Sequence, residues 1–201
     1  MTDDEQVCVH GCARALDGWI AVDDLVLSHR RFDGGWTRKL NRRIVRRGEA
    51  VVVLPYDPER DAVVLIEQFR AGAIADRRTP WLVEAVAGLR DQAGTAEETG
   101  RRELVEEAGL EAKAMVQLWE GYATPGFADE YIYGFVARVD STGVAGHHGL
   151  DAEDEDIRPF VLGFGEALDH WRAGRLLNVP LLTTLLALAV ERPALRERWR
   201  A

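Results

Sequence analysis

Residues 95–110 hold a helix whose two ends are both written in the chain. Thr95 followed by Glu98 is the capping-box pairing of a helix start, and Gly109 is the residue type that stops one, so a helix is expected from just after Thr95 to Ala108. Ahead of it, Ala85-Val86-Ala87-Gly88 reads as a strand end of small residues entering a loop. Glycine there lets the backbone approach whatever the loop encloses. A strand, a loop and a helix are thereby fixed in order, and the rest of the fold must accommodate them.

The helix carries Arg102-Glu103-Leu104-Val105-Glu106-Glu107-Ala108-Gly109-Leu110. Residues three and four apart share a helix face, so Glu103 meets both Glu106 and Glu107 there, and like charges at that spacing repel. Two readings are open. One is a solvated acidic face. The other is a site at which a divalent cation offsets the repulsion. All-oxygen ligation suits Mg²⁺ or Mn²⁺, and Mg²⁺ shares its remaining positions readily with phosphate oxygens.

The remaining elements follow from short-range signals. Residues 17–47 alternate enough for two or three strands, with Gly34-Gly35 as a hairpin turn between Arg31-Phe32 and Trp36. Apolar runs at 50–56 and 62–70 flank the turn sequence Asp57-Pro58-Glu59-Arg60-Asp61. Strands are expected at 113–122, 129–139 and 159–163, a loop at 141–156, and helices at 165–173 and 179–191, the last ending before Pro193. Strands with helices on two sides predict an α/β fold, a mixed-sheet α/β/α sandwich preceded by an N-terminal antiparallel strand region. The expected division is residues 1–48 and 49–201.

A net charge of −9 disfavours nucleic acid as the main partner, because backbone binding needs a basic surface. The longest apolar run, 179–190, is too short for a bilayer span, and no leader pattern opens the chain, so no membrane partner is expected. Cys8 and Cys12 flank His10 without a second ligand pair for structural zinc, which favours a reduced, cytoplasmic protein. The acidic run Glu153-Asp154-Glu155-Asp156 reads alone as a solvated loop. Yet where box carboxylates are occupied by metal, a loop carboxylate can supply the base that takes a proton from water.

The segment 88–110 resembles the Nudix box. Gly88 opens the pattern and Arg102 through Leu110 match its closing nine positions; Gly94 stands where the family has its first Glu, with Glu97 or Glu98 as stand-ins. Beyond the box, Val52-Val53-Leu54-Pro55-Tyr56-Asp57-Pro58, Thr79-Pro80-Trp81-Leu82-Val83-Glu84 and Gly149-Leu150 with the acidic run are similar to bacterial ADP-ribose pyrophosphatases. The resemblance implies the Nudix fold and Mg²⁺-dependent, or Mn²⁺-dependent, hydrolysis of the diphosphate of ADP-ribose to AMP and ribose 5-phosphate. It implies metal contacts at Glu103, Glu106, Glu107, the Ala87 carbonyl and Glu155, with Glu153 as catalytic base.

Substrate contacts are implied at Trp19, Arg42, Arg43, Arg47, Arg70 and Glu130. By residue type alone, the arginines read equally as surface residues and Trp19 as core packing. A homodimer with exchanged N-terminal strands is also implied. Two rivals stand beside this reading: a hydrolase of GDP-mannose or another nucleoside diphosphate sugar, and a Nudix-fold sensor that binds ADP-ribose without cleaving it. The intact Glu103, Glu106 and Glu107 disfavour the sensor.

Overall fold

The computed structural model describes residues 6–75, 79–90, 93–150 and 154–199. They fall into two compact units, Met1–Glu49 with Tyr122–Tyr131, and Ala50–Gly121 with Ile132–Ala201.

The first unit contains an antiparallel sheet in the order β1 (Val7–Leu16), β2 (Ala21–His29), β3 (Leu40–Arg46). The sheet begins at Val7, ahead of the expected 17–47 region. Strand β1 is exposed along nearly its whole length and its pairing shifts twice, between Val9 and Gly11 and between Arg14 and Leu16, so the sequence shows no clean alternation there. The expected turn is present: Gly34 takes a φ of 86°, and the N–H of Arg31 donates to the Gly35 carbonyl at 2.7 Å. The segment 122–131 joins this unit through Asp129, whose carboxylate accepts from the N–H groups of Arg47 (2.7 Å) and Gly48 (3.2 Å).

The second unit is built on a seven-stranded sheet. Strands β4 (Glu49–Asp57) and β5 (Ala62–Phe69) form a hairpin that pairs only at its closed end, Tyr56 with Val63 and Asp57 with Ala62. Beyond that the two strands take other partners: β6 (Trp81–Glu84) lies on β5 and β7 (Val86–Leu89) on β4. Strands β8 (Ala114–Tyr122), β9 (Tyr131–Arg138) and β10 (Ile157–Gly163) complete the order β10-β5-β4-β9-β8. The sheet is mixed. Bonds from Tyr131 N–H to the Gly48 carbonyl and from Val139 N–H to the Tyr56 carbonyl run β9 parallel to β4, whereas β5 runs antiparallel to β10, β4 and β6.

Alternation along β4 divides the core between the sheet's faces. Val51 and Val53 join Leu104 and Ala108 of α1 (Ala96–Ala108) on one side. On the other, Leu54 and Tyr56 meet α2 (Phe164–Arg172) and α3 (Val179–Trp199) through Phe164, Leu181, Leu185 and Trp199. The α/β/α sandwich is therefore as expected.

The last helix differs from expectation, because α3 runs through Pro193 to Trp199. Its final turns are anchored from outside: Leu195 and Trp199 are buried, and Arg192 and Arg196 both pair with Asp61 of the β4–β5 turn. Those contacts outweigh the backbone bond that proline removes. Among the described residues, no helix is long and apolar enough to cross a membrane.

Candidate active site

Helix α1 has the ends its sequence dictates. Thr95 accepts from the Glu98 N–H, and the Glu98 side chain accepts from the Thr95 N–H at 2.7 Å; Gly109 closes the helix with a φ of 64°. Glu98 is thus used by the cap, and Glu97 pairs with Arg101 at 2.8 Å. The Gly94 carbonyl accepts from Arg90 at 3.2 Å.

Register on the helix then places the acidic residues. Glu107 is buried and its Oε2 accepts from the Ala87 N–H of β7 at 2.9 Å. Burial, reinforced by the charges of Glu103 and Glu155, pushes its carboxyl up to about 8 against the pull of the Ala87 bond and Arg70. Burial also raises Glu103, with Glu106 and Glu155 adding to the effect and Arg102 opposing it. Gly88 faces Glu103 so closely that a Cβ there would lie 2.0 Å from its Oε1. The bare backbone of Gly88 thus lets strand β7 lie directly against this carboxylate.

The repulsion between Glu103 and Glu106 is met by a neighbour on their own helix. Arg102 pairs with both, at 2.6 Å each. With Arg102 in this position, no three metal-donor side chains among the described residues converge on one point. The donor chemistry nevertheless fits a hard divalent cation. The charges of Glu103 and Glu155 both act on Glu107 and that of Glu155 also acts on Glu103, so the three carboxylates lie within range of one another, and all are oxygen donors.

Beside this group lies a network that sequence reasoning missed. Arg70, expected to meet substrate, donates to both carboxylate oxygens of Glu84, which is buried and also accepts from Gln68 at 3.3 Å. Glu84 lies at the end of the Thr79–Glu84 segment, where its charge in an apolar strand was the available signal. Glu155 lies within the acidic run, its Oε2 accepting from the Leu150 N–H at 3.3 Å. Glu153 lies outside the described residues.

The first unit gathers three of the other expected residues. The guanidinium of Arg47 lies over the Trp19 ring at 5.1 Å and its Nε is 3.6 Å from Glu130. Trp19 is 82% exposed, which rules out core packing. Arg42 and Arg43, being consecutive on β3, point to opposite faces and are separate from this trio: Arg43 pairs with Asp24 at 2.8 Å, and Arg42 donates to the Asn41 carbonyl. Cys8 and Cys12 are free and exposed.

A glycine-edged strand, a capped helix with Arg-Glu and Glu-Glu in register, and helices on both faces of a mixed sheet are the marks of one class. The NUDIX domain model matches residues 46–176, and the chain belongs to that family. It is a Nudix hydrolase by this membership. Within it, the chain is similar to the ADP-ribose pyrophosphatase of Escherichia coli K12, 38% identical over 182 residues, which span 90% of this chain and 87% of that protein. The ADP-ribose pyrophosphatase of Haemophilus influenzae is 32% identical over 92% of this chain and 86% of its own length. A GDP-mannose pyrophosphatase of Pectobacterium atrosepticum is 32% identical over 80% of this chain and 82% of its own. The crystal structure of an ADP compounds hydrolase superposes with a TM-score of 0.72 over 100% of both chains at 18% identity, the same fold.

Proposed function

We propose that this chain hydrolyses the diphosphate of ADP-ribose to AMP and ribose 5-phosphate. The observation that carries the chemistry is the buried Glu107, bonded to Ala87 of β7 and within reach of the charges of Glu103 and Glu155. The substrate is argued from the relatives named for ADP-ribose, which match 90% and 92% of the chain against 80% for the Pectobacterium GDP-mannose pyrophosphatase, the Escherichia coli one also at 38% identity against 32%.

Glu103 and Glu107 would hold Mg²⁺, or Mn²⁺ in its place, with Glu106, Glu155 and the Ala87 carbonyl as further contacts. When bound, the ion supplies neutralisation of the diphosphate charge and Lewis acidity at phosphorus. Glu153 takes the proton from the attacking water, whose oxygen joins one phosphorus as the bridging P–O bond breaks. Arg70, oriented by Glu84, meets the diphosphate; Trp19 and Arg47 offer a stacking face for the base, Glu130 reaches the ribose, and Arg42 and Arg43 add positive charge.

The exposed Val7, Val9, Leu16 and Ile20 of the first unit support exchange of N-terminal strands in a homodimer, and a light-scattering mass of one chain would end that reading. Free Cys8 and Cys12 suit the reducing cytoplasm.

The test is release of nucleoside monophosphate from ADP-ribose, GDP-mannose and NADH, each with Mg²⁺. Preferential AMP and ribose 5-phosphate from ADP-ribose supports the assignment. Preferential GMP moves it to sugar-nucleotide hydrolysis, the reading that the GDP-mannose pyrophosphatase similarity favours. Binding of ADP-ribose without cleavage leaves a sensor.

A further inference from the structure

The loop between β9 and β10 meets helix α1 at two glycines. At Gly109 an added Cβ would lie 2.6 Å from Cε1 of His148, whose ring occupies that space. The backbone of His148 is held in turn by two bonds to Ile157 at the start of β10, 2.8 and 3.0 Å. One residue further, Gly149 donates its N–H to the Glu106 carbonyl at 3.2 Å and adopts a φ of 101°. A Cβ at this position would stand 2.7 Å from the Cβ of Glu155 and 3.0 Å from its carbonyl oxygen. The backbone of residue 149 is therefore enclosed between α1 and Glu155.

We propose that Gly149 is a positioning residue: its bare α-carbon lets Glu155 close onto α1, and so sets the distance from Glu155 to the carboxylates of Glu103 and Glu107. The inference rests on the reading of those carboxylates as a divalent-metal group. A side chain at 149 faces two separate obstacles, a left-handed backbone and an atom of the Glu155 main chain. The second cannot swing aside as a flexible side-chain tip would, so Glu155 itself must move.

The same loop contains the control. Gly146 has a φ of 97°, yet an added Cβ would meet nothing nearer than His148 Nε2 at 3.7 Å. Alanine at 146 incurs the backbone strain alone; alanine at 149 incurs the strain and displaces Glu155.

The experiment titrates Mn²⁺ into the metal-free full chain without substrate, following free Mn²⁺ by electron paramagnetic resonance, alongside thermal unfolding. The proteins are wild type, Gly146→Ala, Gly149→Ala, Glu155→Ala and the double variant Gly149→Ala/Glu155→Ala. Expected is a loss of about tenfold in Mn²⁺ affinity for Gly149→Ala, a loss in Glu155→Ala that adding Gly149→Ala does not deepen, and wild-type affinity in Gly146→Ala. Gly149→Asn, a residue type that tolerates positive φ, carries the same comparison if the alanine variant does not fold. Gly149→Ala binding Mn²⁺ as Gly146→Ala does would overturn the proposal while the metal reading stands. A further affinity loss on the Glu155→Ala background would also overturn it, since Gly149 would then act by another route. Wild type without Mn²⁺ binding would sink the metal reading itself, and with it this inference.

Discussion

Oε2 of Glu107 lies 2.9 Å from the backbone nitrogen of Ala87, tying the buried carboxylate of α1 to strand β7. This one bond joins the two halves of the box. It also fixes which helix face the acidic residues present, because Glu103 stands one turn back from Glu107 on that face, against the bare backbone of Gly88. The helix and strand are held in register by an acceptor that glutamine retains.

Glu107→Gln is therefore expected to separate chemistry from folding. The amide oxygen can still accept from Ala87, and the cost of ionising a buried carboxyl is removed, so the thermal midpoint without metal should equal or exceed that of wild type. Turnover should fall about a hundredfold or more, since a direct metal contact matters at least as much as the outer groups that orient one. Near-normal turnover would rule Glu107 out as a metal ligand.

Trp19→Ala should act on binding alone. The ring is exposed and touches the Arg47 guanidinium, with no core to disturb. If it stacks on the base of the substrate, its loss raises KM for ADP-ribose about tenfold, in line with the roughly 1–3 kcal/mol of a base–aromatic contact, while the unfolding midpoint stays put. An unchanged KM would return Trp19 to ordinary surface.

Asp57 should make stability depend on acid pH. Its buried carboxylate accepts from the N–H groups of Glu59 (3.0 Å) and Arg60 (3.1 Å) and from Ser141 N–H (2.9 Å) and Oγ (2.7 Å). Burial alone would raise it, but the bonds from Ser141 and Arg60 prevail and hold it well below the usual carboxylate range. A depressed native pKa means that the unfolded chain takes up protons first as pH falls. The contribution is thus complete above the ordinary value of 3.8 and is lost progressively below it. Urea unfolding should show Asp57→Asn weaker by about 2 kcal/mol at pH 6, with a smaller gap at pH 3. Equal gaps at both values would contradict the assignment.

Legibility in the sequence tracked how local the cause was. Helix α1 was readable to the residue because Thr95, Glu98 and Gly109 encode its ends through contacts within a few positions. The β4–β5 hairpin was readable from the Asp57–Asp61 turn. Strand β1 was not, since its bulges break the period that would reveal it. Strand β7 was readable from the small residues 85–88 that lead into the loop, but β6, also four residues, is too short for a pattern, and only the parting of β4 from β5 creates its place. The carboxylates of the box were legible by spacing. Their partners were not: Arg102 bridging Glu103 and Glu106, and Glu84 beneath Arg70, depend on rotamers and on strand pairing across distant segments.

Pro193 shows the same divide, and it leads to a test. Its ring removes a helical hydrogen bond and crowds the preceding turn, a local cost of about 3 kcal/mol that made a helix end before it the natural expectation. In the structure α3 continues because Leu195 and Trp199 fill the core beside Tyr56, and because Asp61 receives Arg192 and Arg196 from successive turns. If distant contacts carry the helix past the proline, relieving the local cost should add directly to stability. Pro193→Ala is expected to raise unfolding stability by about 1–3 kcal/mol, with kcat and KM unchanged. Asp61→Asn, which weakens the anchor and leaves the proline, should destabilise by about 1–3 kcal/mol, and in the double variant the alanine should recover part of that loss. A Pro193→Ala protein no more stable than wild type in urea would mean that the helix adjusts its backbone around the proline without strain, and that the anchor from Asp61 is not what holds its last turns in place.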